Sequence, residues 1–318
     1  MRAMQLVKLG QPLQLVDVDR PEPGAGEVLV RIEACGLNFG DTLIIKGTYQ
    51  EKPPLPATLG MEISGVVEAV GEGAALKVGQ RVASYTGFGG LAEYAAIPEV
   101  ICVPIPDSMS AVDAAAFLVA YGTSHVALDY KAHLRPGETL LVLGASGGVG
   151  LTAVELGKVM GAKVIACARG AKKLDIARQA GADHLIDSDK DDLRAEVRAL
   201  GGADVVYDPI GGALFDAALR ACNREARLLP LGFASGDIPQ IPANYLLVKN
   251  LTVLGLYWGG YAALRPSVLT DSFGVLFGWY DQGKLAPHVS HTRPLEQANE
   301  ALDLLRKRKA TGKVIVTI

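Results

Sequence analysis

The chain has 318 residues, 49% hydrophobic and 20% charged, with a formal net charge of −3. That length suffices for a sizeable core and suggests about two domains. The absence of a basic block counts against a nucleic-acid or anionic-membrane surface, and no apolar run reaches the roughly 20 residues of a membrane span.

The N-terminal MRAMQLVKLGQPLQLVDV alternates charged and apolar residues, unlike a signal or transit peptide. Through the first hundred residues, short β-prone runs (Glu27–Glu33, Ile63–Val70, Gln80–Ser84) are separated by PEPGAG, GEGAALKVG and TGFGG. This texture predicts a small, strongly bent β-domain or partial barrel. Cys35, Cys102, Cys167 and Cys222 lie far apart with no CxxC pair, as expected of reduced, mostly buried thiols in a cytoplasmic protein. From Ser110 the pattern changes. Ser110 to Asp113 reads as a capping box opening an Ala-rich helix that runs to about Lys131.

The most informative stretch follows. Thr139–Leu143 is an apolar strand, Ala145-Ser-Gly-Gly-Val-Gly150 a turn of small residues, Leu151–Met160 a helix and Lys163–Cys167 a second strand. A glycine turn set in that context lets the backbone approach a dinucleotide pyrophosphate, which then meets the N–H groups of a helix N-terminus. Ser146, Gly147, Gly148 and Val149 are the expected donors. After the second strand an NAD site usually carries an acidic residue for the ribose 2′-hydroxyl. Here Arg169, Lys172 and Lys173 stand instead, with no carboxylate before Asp175. Arg169 and Lys173 suit a 2′-phosphate, so NADPH is expected over NADH. The bland alternative is that the lysines form the solvated face of a helix.

Alternation continues to about Asn250. Strands are expected at residues 184–186, 204–208, 227–231 and 251–257, with helices at 172–180 and 212–222 between them, giving a doubly wound parallel sheet. Gly232, Phe233 and Ser235 fall at the carboxyl end of a strand, where such sheets hold ligands. Two further helices (268–282 and 295–307) precede a final strand, Lys313–Ile318, which has no sheet of its own and should return to the β-domain. The expected division is 1–118 with 256–318 for one domain and 119–255 for the other.

Taken together, Cys35-Gly-Leu-Asn38-Phe-Gly-Asp41, Gly60-Met61-Glu62-Ile-Ser-Gly65, Lys77-Val-Gly-Gln-Arg-Val82, Gly144-Ala-Ser-Gly-Gly-Val-Gly150, Val205-Val-Tyr-Asp208 and Gly312-Lys-Val-Ile-Val316 form a specific set. Over essentially its full length the chain resembles the medium-chain dehydrogenase/reductase superfamily, and within it the zinc-independent quinone oxidoreductase branch typified by zeta-crystallin. The resemblance implies a Rossmann sheet inserted into a GroES-like β-domain. Zinc-dependent relatives carry a ligand cysteine where this chain has Asn38 and a ligand histidine where it has Met61. Neither replacement is a good zinc ligand, so no metal is expected.

Further roles follow from the resemblance. Asn38 should face the nicotinamide or substrate and donate its amide to a developing oxyanion, unless it only holds its own loop as an Asx turn. Asp41 should cap a helix at Thr42–Lys46. Tyr49 occupies the place of a proposed proton donor in enoyl reductases, or else only positions the ring. Thr123 is expected near a phosphate or the carboxamide, Glu62 in a structural salt bridge, and Lys313 at a cofactor phosphate or in solvent. Ser188 replaces an adenine-side tyrosine. Relatives dimerise by continuing the sheet through the 251–257 strand, so a homodimer is expected. The implied activity is hydride transfer from NADPH to a quinone or an α,β-unsaturated carbonyl. The alternatives are an enoyl-CoA-type reductase, or a crystallin-like cofactor-binding protein with little turnover.

Overall fold

A computed structural model describes residues 1–318, and the chain divides into two units: Met1–Val119 with Pro287–Ile318, and Ala120–Ala286. In the first unit, an eleven-residue strand, Glu27–Leu37, is bent by register shifts between Leu29 and Val30 and between Ile32 and Ala34. Such bulges re-aim a strand. Its first half pairs with Tyr94–Pro98 and its second half with the C-terminal strand Lys313–Thr317. Glu62–Val70 flanks it along most of its length and is followed outward by Arg81–Tyr85 and Cys102–Pro104. Val28, Val30, Ile32, Leu59, Ile63, Val67, Val314 and Val316 share one buried core with the helix residues Ala298, Ala301 and Leu302. This is the bent β-domain expected from the turn-rich first hundred residues.

The second unit is a six-stranded parallel sheet. Its strands, in chain order, are Thr139–Leu143, Lys163–Ala168, His184–Asp187, Ala203–Asp208, Cys222–Pro230 and Thr252–Val253, and they lie in the spatial order third, second, first, fourth, fifth, sixth. Chain direction from the first strand reverses at the first–fourth pair, the switch point at which doubly wound sheets hold ligands. The helix predicted to begin at Ser110 is present, with Ser110 Oγ accepting the Asp113 N–H at 3.0 Å, but it breaks into Ala111–Ala115, Leu118–His125 and a π-helical turn, Val126–Lys131. No helix is long and apolar enough to cross a membrane.

Two expectations require correction. The return to the first unit comes at residue 287, not 256. Helix Pro266–Asp281 stays with the parallel sheet because His125 Nδ1 lies 2.9 Å from Ser272 Oγ and its ring packs edge-on to Trp279, while Phe273 packs edge-on to Trp258. The strand expected over 251–257 shrinks to Thr252–Val253. Leu254 N–H still donates to Leu228 O, but the next ladder donor belongs to Pro230, which has no N–H.

Candidate active site

In the second unit the turn before helix Gly148–Val159 is shaped by the absence of side chains. Gly144 has φ +62°, and a Cβ placed on Gly150 would lie 2.2 Å from Gly144 O. Ala145 N–H ties the turn to Cys167 O on the neighbouring strand. Gly147 is the N-cap and offers no side chain. The first-turn N–H groups of Gly148, Val149 and Gly150 therefore have no intrahelical acceptor and sit at the positive end of the helix dipole. An anion fits there without any further cation. Gly147, expected among the donors, instead closes the turn by donating to Gly144 O at 2.9 Å.

Two loops at strand carboxyl ends join this turn. Asp208 is fully buried and accepts the N–H groups of Ile210 at 2.7 Å and Gly211 at 2.9 Å. Burial raises its pKa and those two bonds oppose the rise. The loop so held places Ile210 beside Gly144. Ala234 and Ser235 donate to Pro209 O and Ile210 O, and a Cβ on Gly211 would approach the Phe233 ring. Gly232, Phe233 and Ser235 are thus brought to the same edge of the sheet as the glycine turn.

Thr123 is half-exposed one residue before Ser124, which sequence reasoning did not single out. Ser124 Oγ lies 2.8 Å from both Thr152 Oγ1 and Tyr207 OH and 2.9 Å from Val149 O. These buried hydroxyls fix the helix carrying Thr123 against the first turn of the dinucleotide helix. Their signal in the sequence was only that polar side chains recur among apolar ones. Arg169 is exposed, with its Nε 3.0 Å from Asp189 Oδ1. The carboxylate absent from the strand end is supplied by the next loop.

The first unit gathers a different group. Lys313, expected at a phosphate or in solvent, is buried: its ammonium bonds Glu62 Oε1 and lies 2.8 Å from Asn38 Oδ1. The Asn38 amide nitrogen donates to Glu62 Oε1 at 3.1 Å and to Gly36 O at 3.3 Å, and Glu62 Oε2 accepts Val119 N–H at 2.9 Å. Both amide donors of Asn38 are taken within the cluster, so in this geometry it offers none to an oxyanion. Helix Phe39–Lys46 begins earlier than expected, and Asp41 Oδ2 accepts Asn38 N–H at 2.8 Å. Tyr49 packs near Gly40 and is hydrogen-bonded to Tyr85. Burial, then the charges of Glu51 and Asp41, raise its pKa.

Asp41 Oδ1 is buried without a hydrogen-bond partner. Burial moves the carboxyl from 3.8 to about 7, against the opposing pull of the Asn38 N–H and the Lys313 charge. The native state thus retains a proton that the unfolded chain releases. Stability from this group falls as pH rises from about 4 to about 7 and is level above that. In Asp41→Asn the thermal midpoint should lose several degrees less than wild type does between about pH 5 and about pH 8. Parallel melting curves across that range would refute the assignment.

Comparison with known proteins places these features. A family model described as "Alcohol dehydrogenase GroES-like domain" matches residues 24–107, and one described as "Zinc-binding dehydrogenase" matches 148–270. The chain is 41% identical over 323 residues to a Nematostella vectensis quinone oxidoreductase-like protein 2 homolog, covering 99% of this chain and 88% of the relative. It superposes on the quinone oxidoreductase of Thermus thermophilus, solved also with NADPH, with TM-score 0.91, 34% identity and 100% of both chains covered. The Escherichia coli quinone oxidoreductase complexed with NADPH gives TM-score 0.92 at 29% identity, again over 100% of both chains. Turn, sheet order, bent β-domain and sequence likeness agree: the chain belongs to the medium-chain dehydrogenase/reductase superfamily, in its zinc-independent quinone oxidoreductase branch.

Proposed function

We propose that the protein is an NADPH-dependent, zinc-independent reductase that transfers hydride to a quinone or an α,β-unsaturated carbonyl. The observation that carries this reading is the uncapped N-terminus of helix Gly148–Val159, entered through a turn with no room for a Cβ at Gly150, which suits a pyrophosphate. The Thermus and Escherichia coli relatives solved with NADPH support the choice of nucleotide. Bound NADPH would supply the hydride from its reduced nicotinamide.

The chain's own residues divide the remaining work. N–H groups of Ser146, Gly148 and Val149 hold the pyrophosphate, and the 209–212 and 231–237 loops border the nucleotide with Gly232, Phe233 and Ser235. Thr123, held by the Ser124 hydroxyl network, faces the nucleotide from its helix. Arg169 and Lys173 meet the 2′-phosphate. The Arg169–Asp189 pair is more than half exposed on both sides (59% and 53%). A pair of that kind contributes about 0–1 kcal/mol and yields readily to a dianion. Asn38 keeps a structural place, its amide held by Glu62 and Gly36 and its carbonyl by Lys313. Tyr49 remains as the proton donor or positioning group for the reduced acceptor. Burial raises its pKa, which favours the protonated hydroxyl.

A homodimer belongs to the same reading. Strand Thr252–Val253 is the open edge of the parallel sheet, and the helix leading into it, Ala243–Lys249, exposes Leu247 (78%) and Val248 (67%). The exposed Leu247 and Val248 beside this open edge are what favour a covering partner.

Four measurements test these assignments. In assays of NADPH oxidation with 1,2- and 1,4-quinones, small enones and crotonyl-CoA, turnover of quinones or enones is expected. Preference for crotonyl-CoA would favour an enoyl-CoA reductase, and tight NADPH binding without turnover a binding role. In the same assay, Arg169→Ala with Lys173→Ala should raise KM for NADPH by about tenfold or more and leave NADH use nearly unchanged; equal loss with both nucleotides would sink the 2′-phosphate assignment. Tyr49→Phe should lower kcat for an enone by about 10²-fold, an unchanged rate leaving only positioning. Light scattering should give a dimer at micromolar protein, reduced to monomer by Leu247→Glu with Val248→Glu; a monomeric wild type overturns the edge-strand assembly.

A further inference from the structure

The chain passes from the first unit to the second at Val119/Ala120 and back at Ala286/Pro287. Within the second unit, both passages are held by one helix, the one that starts at the glycine turn. Thr152 Oγ1 donates to Ala120 O at 3.1 Å. One turn further along, the half-buried Glu155 reaches both: Tyr121 OH donates to its Oε2 at 2.5 Å, and Ala286 N–H donates to its Oε1 at 2.8 Å. Tyr121 is almost fully buried, so its hydroxyl takes a protein acceptor in place of water. Thr152 and Glu155 are three residues apart and so share a face of the helix. Nothing in the nucleotide cradle requires a carboxylate there, since the pyrophosphate donors lie about two turns earlier, at the opposite end of the helix dipole.

We infer that Glu155 is a positioning residue that fastens both chain passages to the cofactor-binding helix. One carboxylate then sets where each connecting segment leaves the nucleotide-binding unit. Burial raises the pKa of this group, and the Tyr121 and Ala286 bonds oppose that rise, as expected of a carboxylate kept for its two donors. The functional consequence rests on the reductase reading above. Tyr49 precedes the first passage in the chain and the nucleotide cradle lies between the two passages, so a reaction that uses both groups draws on both connections. Loosening them should affect turnover more than nucleotide affinity.

The test compares full-length Glu155→Ala, Glu155→Gln and Tyr121→Phe with wild type. NADPH Kd is read by nucleotide fluorescence, kcat and KM with a quinone, and amide hydrogen exchange over residues 118–122 and 284–288. Glu155→Ala should accelerate exchange in both segments and lower kcat about tenfold, with NADPH Kd within about twofold of wild type. Glu155→Gln, which keeps an acceptor for Ala286 and offers an amide to Tyr121, should restore protection and most of kcat. Tyr121→Phe should loosen only the first segment, and it decides the matter with Glu155→Gln if the alanine variant does not fold. Unchanged exchange in either segment of a folded Glu155→Ala protein overturns the anchoring. Accelerated exchange with kcat unchanged, or a Kd loss as large as the kcat loss, overturns the positioning role. If wild type turns over no acceptor, the reductase reading fails, while the exchange data still judge the anchoring.

Discussion

The first unit depends on a buried ion pair. Glu62 and Lys313 lie on strands flanking the two sides of the long bent strand, 251 positions apart in sequence, and their side chains are 1% and 5% exposed. Two charges placed there are tolerated only because each remaining polar atom is used: Asn38 bonds both partners, and the second Glu62 oxygen takes the Val119 N–H. Loss of one member would leave the other charged and enclosed, at a cost of about 3–5 kcal/mol. Four separate segments thus converge on one electrostatic requirement. The sheet cannot satisfy it until the C-terminal strand has paired, which makes this half of the molecule the part of high contact order.

The difference in contact range explains which features were legible in the sequence. The Rossmann half is built from successive strand–helix units, and each carries its own signature within about thirty residues: an apolar strand, a glycine turn, a helix and another strand. Ser110 and its cap on Asp113 are equally local. The β-domain was readable only as a texture, because its strands pair across long distances. Lys313 shows the limit most clearly. A lysine before a terminal strand reads as a surface cation, and nothing near it in sequence announces Glu62. Asp189 escaped for the same reason, reaching Arg169 from the loop after the next strand. Glu155 reads as one polar position on an amphipathic helix, its meaning set by Tyr121 and Ala286. The shortened edge strand was locally visible after all, in a proline on its neighbour, but only once the pairing register was known.

The two units hold charge in opposite ways. At the dinucleotide turn, partial charge is left unsatisfied on purpose: small residues, no capping side chain and an N–H array facing outward. In the first unit charge is enclosed and compensated. The positions at which zinc-dependent members of the superfamily carry two of their ligands are here Asn38, engaged with Glu62 and Lys313, and Met61, which lies in the apolar core. The donor set is thus replaced by an internal salt bridge and a packed thioether. An ammonium group stands beside Asn38, but its charge is matched by Glu62 and shielded from solvent.

That compensation bears on the choice of acceptor. Hydride addition to an isolated ketone concentrates negative charge on one oxygen, which then needs a strong donor or a cation aimed at it. Asn38 has both amide hydrogens bonded, and Lys313 is neutralised by its partner. Neither is arranged to supply that stabilisation without breaking the cluster that holds the sheet together. A quinone or an enone spreads the incoming charge over a conjugated system and needs less from its surroundings. What the first unit retains among the candidate groups is Tyr49, kept in its protonated form by burial and hydrogen-bonded to Tyr85. In the proposed reading, a neutral hydroxyl donor suits an acceptor that delocalises its own charge, and such an acceptor would ask no charge stabilisation of the enclosed ion pair.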